Sequence, residues 1–227
     1  VMPHGRLGVG FAVLLGALAV QGAAAQDAAV SEADALAIIE SAASRYSGVE
    51  ALCADFTQHL LVPLLGDEHT SMGRLCQSQP NRFAMRFTDP EGDRVIIDGS
   101  FVWLYYPSLD PKQVLKLPMA QNQGGYDFHK EFLENPGQKY HVTYQAEEEV
   151  AGRRTHRLRL VPLQAKSYLA AVVWIDVDAP LLRQVRVEEE NGSVRTVTLH
   201  SVEMDPPDLT DEWFTFTPPE GVFVIPG

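Results

Sequence analysis

The sequence predicts a mainly β protein, an incomplete (unclosed) antiparallel β-barrel of about eleven strands with a few helices. Three observations favour this class. Apolar side chains recur at every second residue in neighbouring segments, strand-like runs are separated by short turns, and helical spacing occurs at only two places. A sheet of this length usually curls, and two helices are a thin cover for it. The economical arrangement is a barrel left open on one side.

The alternation is clearest on either side of the turn at Asp98-Gly99. Phe83, Met85 and Phe87 are spaced two apart, and aromatic residues repeat that spacing after the turn. The residues expected to line one apolar face are Phe56, Phe83, Met85, Phe87, Trp103 and Tyr105. Two interpretations of this face are open. It encloses a hydrophobic cavity for a ligand, or the side chains of the sheet fill their own interior.

The strand-like runs follow one predicted helix. That helix begins at Ser31, which forms a pattern like a capping box with Asp34, and its apolar positions continue at helical spacing until Gly48. The predicted strands cover residues 53–62, 72–79, 82–88, 93–98, 101–106, 112–117, 139–146, 154–161, 168–177, 181–189 and 193–203. Short turns such as Asn191-Gly192 favour antiparallel neighbours.

A second, shorter helix is predicted between the sixth and seventh runs. Gly124-Gly125 leads into residues 126–134, where Phe128, Phe132 and Leu133 form an apolar side. This segment is expected to cover part of the apolar face.

The N-terminus has the pattern of a signal peptide. Arg6 precedes an apolar run over residues 7–20, and small residues at 23–25 are suited to cleavage before Gln26. We therefore expect a signal peptide over 1–25 and a single exported domain over 26–227. The alternative is a retained membrane anchor, although the run is shorter than the roughly 20 residues that a spanning helix needs.

Charge and cysteine content narrow the function classes. The net charge of −12, without a basic cluster, argues against nucleic-acid binding. Cys53 and Cys76 are the two cysteines, and they fall opposite each other if the first two strands form a hairpin that turns near residues 64–67. A disulfide is expected in an oxidising compartment, and two buried thiols are the alternative.

Motifs for catalysis, metal or cofactor binding do not stand out. GxSxG, HExxH, CxxC and a Gly-rich phosphate loop are absent from the sequence, and its histidines lack ligand spacing. The acidic runs at 147–149 and 188–190 are interpreted as solvated strand ends. We therefore predict no catalytic residues, no metal and no cofactor.

A set of short motifs, in order along the chain, carries a family resemblance. The motifs are Phe56-Thr57-Gln58, Gly73-Arg74-Leu75, Gln79-Pro80-Asn81-Arg82-Phe83, Asp98-Gly99 with Val102-Trp103-Leu104-Tyr105, and the closing FTFTPPEGV at 214–222. In this order and spacing the sequence resembles the outer-membrane lipoprotein carrier (LolA) family.

The resemblance implies a chaperone in the periplasm with an unclosed barrel and a helical lid. Such a protein takes acylated lipoproteins from an inner-membrane ABC transporter and delivers them to an outer-membrane acceptor, and a monomer is expected. The apolar face would then hold the acyl chains, with Phe128, Phe132 and Leu133 in the lid. The alternative is a carrier or sensor of another lipid, such as a phospholipid or glycolipid, that uses the same fold.

One position departs from the family pattern. The family has an arginine directly before the Pro-Asn pair, where it is tied to lid opening, and this chain has Gln79. Arg82 is the nearby candidate to replace it, but residues three apart on a strand lie on opposite faces. The free energy needed to open a lid held by neutral hydrogen bonds would differ from that of a lid held by an arginine, because charge-assisted hydrogen bonds are roughly twice as strong as neutral ones.

Overall fold

The computed structural model describes residues 30–119 and 127–227, and its strands form one twelve-stranded sheet. The strands are β1 Ala51–Val62, β2 Asp67–Ser78, β3 Arg82–Asp89, β4 Glu91–Asp98, β5 Phe101–Tyr105, β6 Gln113–Pro118, β7 Tyr140–Val150, β8 Arg153–Pro162, β9 Tyr168–Asp176, β10 Leu182–Glu189, β11 Val194–Met204 and β12 Phe223–Pro226. The helices are α1 Glu32–Tyr46, α2 Phe128–Phe132, α3 Pro136–Lys139 and a 3₁₀ turn at Asp211–Phe214. The predicted signal peptide and Gly124-Gly125 lie outside the described residues.

The sheet is unclosed, as predicted. Its order is β12-β6-β5-β4-β3-β2-β1-β11-β10-β9-β8-β7, so β12 and β7 are its two edges. All neighbours are antiparallel except β12, which runs parallel to β6. The eleven predicted strands are present, and β12 is a twelfth that the sequence analysis missed. The fold class is therefore confirmed.

Helix α1 begins where the sequence indicates. The hydroxyl of Ser31 accepts the N–H of Asp34 at 3.2 Å and donates to the Asp34 carboxylate at 2.6 Å. Ala35, Ile39 and Ala42 are fully buried against one face of the sheet. We call the face that carries α1 and α2 the inner face, and the opposite one the outer face.

The outer face is covered by the chain between β11 and β12, residues 205–222, which we call the outer strap. Arginines of β3 hold it: Arg82 pairs with Asp211 at 2.6 Å, and Arg86 donates to the carbonyl of Glu212 at 2.7 Å. The Arg86 guanidinium also lies 4.6 Å from the ring centroid of Trp213. Phe214, Phe216 and Val222 of the closing sequence motif also pack into the outer-face cluster, so the motif forms part of this cover.

Cys53 and Cys76 are directly opposite on β1 and β2 and are joined by a disulfide. Both side chains belong to the outer-face cluster of buried residues. A crosslink between residues 23 apart stabilises the fold by about 3 kcal/mol in the chain-entropy model. It joins the two central strands without occupying the inner face.

Gly73 allows two strands to approach each other closely. A Cβ atom at this position would lie 2.2 Å from the carbonyl oxygen of Arg86 and 2.8 Å from the Cα of Phe87. Backbone atoms cannot move aside as a flexible side chain can. The glycine of the Gly73-Arg74-Leu75 motif is therefore required by the contact between β2 and β3.

Replacing Gly73 with alanine is expected to lower the free energy of unfolding by about 2–3 kcal/mol, because the added methyl forces the β2 and β3 backbones apart. Urea denaturation followed by circular dichroism measures the change. Gly137→Ala is the matched control, since its Cβ would meet only Leu36 methyl groups at 3.6 and 3.7 Å. Equal stability of the two variants would contradict this explanation.

Candidate functional site

Four of the six residues predicted to line the apolar face lie together on the inner face. Phe56, Phe83, Met85 and Phe87 belong to one buried cluster and are 1, 1, 3 and 7% exposed. Phe56 and Phe87 meet edge to face, with ring centroids 5.2 Å apart. The strands β1 and β3 thus present a continuous apolar surface to the helices.

Trp103 and Tyr105 correct the prediction, because they lie on the outer face. Both belong to the outer-face cluster, and the ring of Phe216 in the outer strap is 5.5 Å from each. The inner-face positions of β5 are instead Val102 and Leu104. The alternation within β5 was interpreted correctly, but β5 pairs with β4 so that Val102, and not Trp103, lies opposite Ile97, which in turn lies opposite Phe83. A shift of one residue exchanges the two faces.

Helix α2 fills the interior beneath it with its own side chains. Phe128, Phe132 and Leu133 are 6, 3 and 1% exposed and belong to the inner cluster. The rings of Phe83 and Phe128 are 6.4 Å apart. In this structure the predicted lid is therefore packed into the inner face, and the surface it covers is occupied by protein.

An open apolar groove continues the inner face beyond α2. It has a volume of about 340 Å³ and lies over β5, β6 and β12, lined mainly by Leu104, Tyr106, Leu115 and Ile225. Tyr106 joins the groove to the buried cluster, because its ring is 6.3 Å from that of Phe87. Among the described residues, the groove is thus an open continuation of the same apolar surface.

A larger and more polar pocket lies at the other side of α2. It has a volume of about 780 Å³ and is enclosed by the end of α1, the β2–β3 turn and α2, with Glu50, Gln79, Asn81, Lys130 and Glu134 among its lining residues. Its mixed lining differs from that of the groove. This pocket marks the boundary where α2 meets the sheet.

On the β2 side, α2 is attached by neutral or exposed contacts. Nδ1 of His129 donates to Oε1 of Gln77 at 3.0 Å, and its ring lies 3.9 Å from that of Tyr46. Burial lowers the pKa of His129 to about 3, so the imidazole is neutral at physiological pH. The exposed Lys130 ammonium reaches Asn81 at 3.2 Å.

On the opposite side, a buried carboxylate attaches α2 to β7 and β9. One oxygen of Glu131, Oε1, accepts from the Tyr140 hydroxyl at 2.8 Å, the Tyr168 hydroxyl at 2.5 Å and the Lys166 ammonium at 2.8 Å. Burial by itself would raise the pKa of Glu131, but the bonds from Lys166, Tyr168 and Tyr140 together lower it below the usual value. The carboxylate is therefore ionised.

The two predicted gating residues lie apart. Gln79 lines the polar pocket, and its backbone N–H donates to the carbonyl of Glu50 at 2.9 Å. Arg82 cannot replace the family's arginine at the lid, because it lies on the outer face, bound to Asp211 and 5.1 Å from the ring centroid of Phe214. Its engagement with the outer strap corrects that prediction.

The network around Glu131 was missed in the sequence. A signal for it exists, because Glu131 follows Phe128 by three residues and so lies on the apolar side of the predicted helix. An acidic residue on a buried helix face requires partners. Those partners, Tyr140 at the start of β7 and Lys166 and Tyr168 around the start of β9, come from two separate parts of the chain, and no local pattern identifies them.

Within the described ranges, no helix is long and apolar enough to cross a bilayer. The same residues contain no group of three or more histidine, cysteine, aspartate or glutamate side chains suited to hold a metal ion.

The fold is thus an unclosed antiparallel sheet whose apolar inner face is packed by short helices. The model of the family described as outer membrane lipoprotein carrier protein LolA matches residues 47–217. This match spans most of the chain, and the chain belongs to that family.

Individual relatives agree with this assignment. The outer-membrane lipoprotein carrier protein of Nitrosomonas europaea is 25% identical over 179 residues, which cover 76% of this chain and 81% of the relative. The protein of the same name from Shewanella sediminis is 26% identical over 184 residues, covering 79% and 81%. A crystal structure of an uncharacterized conserved protein from Thermus thermophilus covers 85% of this chain and 99% of its own, with a TM-score of 0.53 at 14% identity, and so shares the fold.

Proposed function

We propose that this protein binds the acyl chains of lipoproteins on its inner face and carries them through the periplasm from the inner to the outer membrane. The observation that carries the proposal is the continuous apolar surface that runs from the cluster beneath α2 into the open groove. Membership of the lipoprotein carrier family supports it.

The physical need for such a surface is large. Each methylene group kept out of water is worth about 0.8 kcal/mol, so a tail of about 15 methylenes costs about 12 kcal/mol to expose. Apolar contact is non-directional, and it suits flexible chains that must be released again. The role needs binding and transfer rather than a catalytic residue, a metal or a cofactor.

The groove and α2 have different parts in this proposal. The groove, at about 340 Å³, offers the first apolar contact to an incoming chain. The surface beneath α2 becomes available only when Phe128, Phe132 and Leu133 leave the inner cluster, so a lipoprotein with several acyl chains must displace α2. In this scheme α2 acts as the lid.

The proposed route defines the partners and the compartment. Residues 1–25 would act as a cleaved signal peptide and residues 26–227 as the mature carrier domain in the periplasm. An ABC transporter in the inner membrane would load the lipoprotein, and an acceptor at the outer membrane would receive it. The carrier is proposed to act as a monomer.

The bound molecule can be identified directly. The mature protein, purified from periplasm without detergent and extracted with organic solvent, is expected to yield acylated N-terminal cysteine peptides by mass spectrometry. Recovery of phospholipid or glycolipid alone would instead support a carrier of another lipid with the same fold. Recovery of no acylated molecule would contradict both.

A further inference from the structure

One buried carboxylate, that of Glu131, makes three of the hydrogen bonds that attach α2 to the rest of the fold. The Glu131 side chain is 7% exposed and accepts three hydrogen bonds at 2.5–2.8 Å, one of them from the Lys166 ammonium. The hydroxyl of Tyr140 also contacts the backbone carbonyl of Glu131 at 3.1 Å. Hydrogen bonds to a charged group contribute more than neutral ones, and burial strengthens them further.

A five-residue helix has little stability of its own, so its position depends on these contacts. On the β2 side the bond between His129 and Gln77 is neutral, and the bond between Lys130 and Asn81 is exposed. On the β7–β9 side Glu131 makes the buried charged contact, and the Lys139 ammonium also donates to the backbone carbonyls of Lys130 and Glu131 at 2.6 and 3.3 Å. The two sides are thus unequal, and the Glu131 side resists separation more.

We propose that Glu131 is the latch that holds α2 over the inner face, with Tyr140, Lys166 and Tyr168 as its receptor. The proposal rests on the proposed function, in which α2 must move to admit acyl chains. This chain has Gln79 directly before its Pro-Asn pair, where the family has an arginine. We assign the charge-assisted hydrogen bond that holds the lid to Glu131, a residue of the lid itself. Opening then begins with the release of Glu131.

When the Glu131 carboxylate leaves its three partners, no buried charge remains without a partner. The hydroxyls of Tyr140 and Tyr168 are 2.7 Å apart and can bond to each other when the carboxylate departs. Lys166 is 34% exposed, so water can solvate its ammonium. Glu131 itself moves from the interior into solvent. Opening therefore breaks strong bonds without stranding a buried ion, which makes it reversible.

Amide hydrogen exchange tests the latch without any ligand. The N–H of Leu133, which bonds to the carbonyl of His129 at 2.9 Å, reports opening of α2, and the amides between β1 and β2 report global unfolding. In Glu131→Gln, exchange at Leu133 is expected to rise roughly tenfold, since the charged bonds become neutral ones, while the β1–β2 amides are unchanged. Glu40→Gln, an exposed acid on α1, is the control with the same charge change and should match the wild type.

Binding of a fluorescent palmitoylated cysteine peptide gives a second measurement. If Glu131 is the latch, Glu131→Gln should associate with this peptide faster than the wild type, whereas a merely destabilised protein would bind it less well. Failure of the wild type to bind would count against the proposed function alone, because exchange still measures the latch.

Unchanged exchange at Leu133 in Glu131→Gln would overturn the proposal. If exchange rises throughout the sheet in Glu131→Gln, the variant Tyr168→Phe distinguishes the two explanations. It removes one hydrogen-bond donor to Glu131 and keeps the ring that packs 6.0 Å from the ring of Phe132. Faster exchange confined to α2 in Tyr168→Phe supports the latch. Unchanged exchange, or faster exchange throughout the sheet, would show that the network holds the fold rather than the lid.

Discussion

Asp176→Asn is expected to lower the free energy of unfolding by about 3–5 kcal/mol. Oδ2 of Asp176 accepts from Nε and Nη2 of Arg183 at 2.9 and 2.8 Å, and the two side chains are 1% and 8% exposed. The asparagine can still accept the N–H groups of Asp178 and Ala179 in the turn, but it leaves a buried guanidinium without its counter-charge. Chemical denaturation measures the loss.

The double variant Asp176→Asn with Arg183→Met separates charge from packing. Because it removes both ions, it should be more stable than Asp176→Asn alone. If the double variant loses as much free energy of unfolding as Asp176→Asn and Arg183→Met lose together, the unpaired charge is not the cause of the destabilisation.

The pH dependence of the same pair follows from the pKa of Asp176. Burial would raise that pKa, but the bonds from Ala179, Arg183 and Asp178 outweigh burial and lower it. The pair therefore stabilises the protein fully above the pKa of the unfolded state, about 3.9, and the contribution is lost as the pH falls through the lower folded value. In Asp176→Asn, the free energy of unfolding should therefore fall less steeply than in the wild type as the pH drops below about 3.9.

Leu115→Asp is expected to lower the affinity for a palmitoylated cysteine peptide by about 100-fold, equivalent to about 2.7 kcal/mol. Leu115 is half-buried in the apolar groove beside Leu104 and Ile225. A carboxylate there is solvated while the groove is empty, so the fold is retained, but a bound acyl chain would strip its water. Fluorescence titration with the labelled peptide measures the affinity.

The matched control for this variant is Leu65→Asp. Leu65 is 76% exposed at the tip of the β1–β2 hairpin, away from the groove, so the same substitution should leave binding of the soluble peptide unchanged. Equal affinities of the two variants would remove the groove from the binding surface.

Most of the fold could be predicted because its signals are local. The alternation in β3, the turn at Asp98-Gly99 and the cap at Ser31 each depend on a few neighbouring residues, and the structure shows each of them. Strand β12 was missed for the opposite reason. It has four residues, and its partner β6 is more than a hundred residues earlier in the chain.

The candidate site was only partly predictable because it depends on register and on distant contacts. Phe83, Met85 and Phe87 share a face by their spacing alone, whereas the placement of Trp103 required the pairing of Ile96 with Trp103, which spacing does not give. The partners of Glu131 likewise converge only in three dimensions. The occupation of the interior by α2 depends on packing, and a hydrophobic pattern does not distinguish a filled interior from an empty one.

The outer strap has a consequence for which ligands the protein can accept. Its start is fixed at β1, where the Asp205 carboxylate accepts the N–H groups of Glu50 and Ala51 at 2.9 Å each, and its end continues into the edge strand β12, which pairs with β6. A chain anchored at both ends limits the circumference of the strands between them. In the proposed function, a more heavily acylated lipoprotein is therefore expected to be accommodated by movement of the strands β7–β11, while the strands β1–β6 keep their spacing.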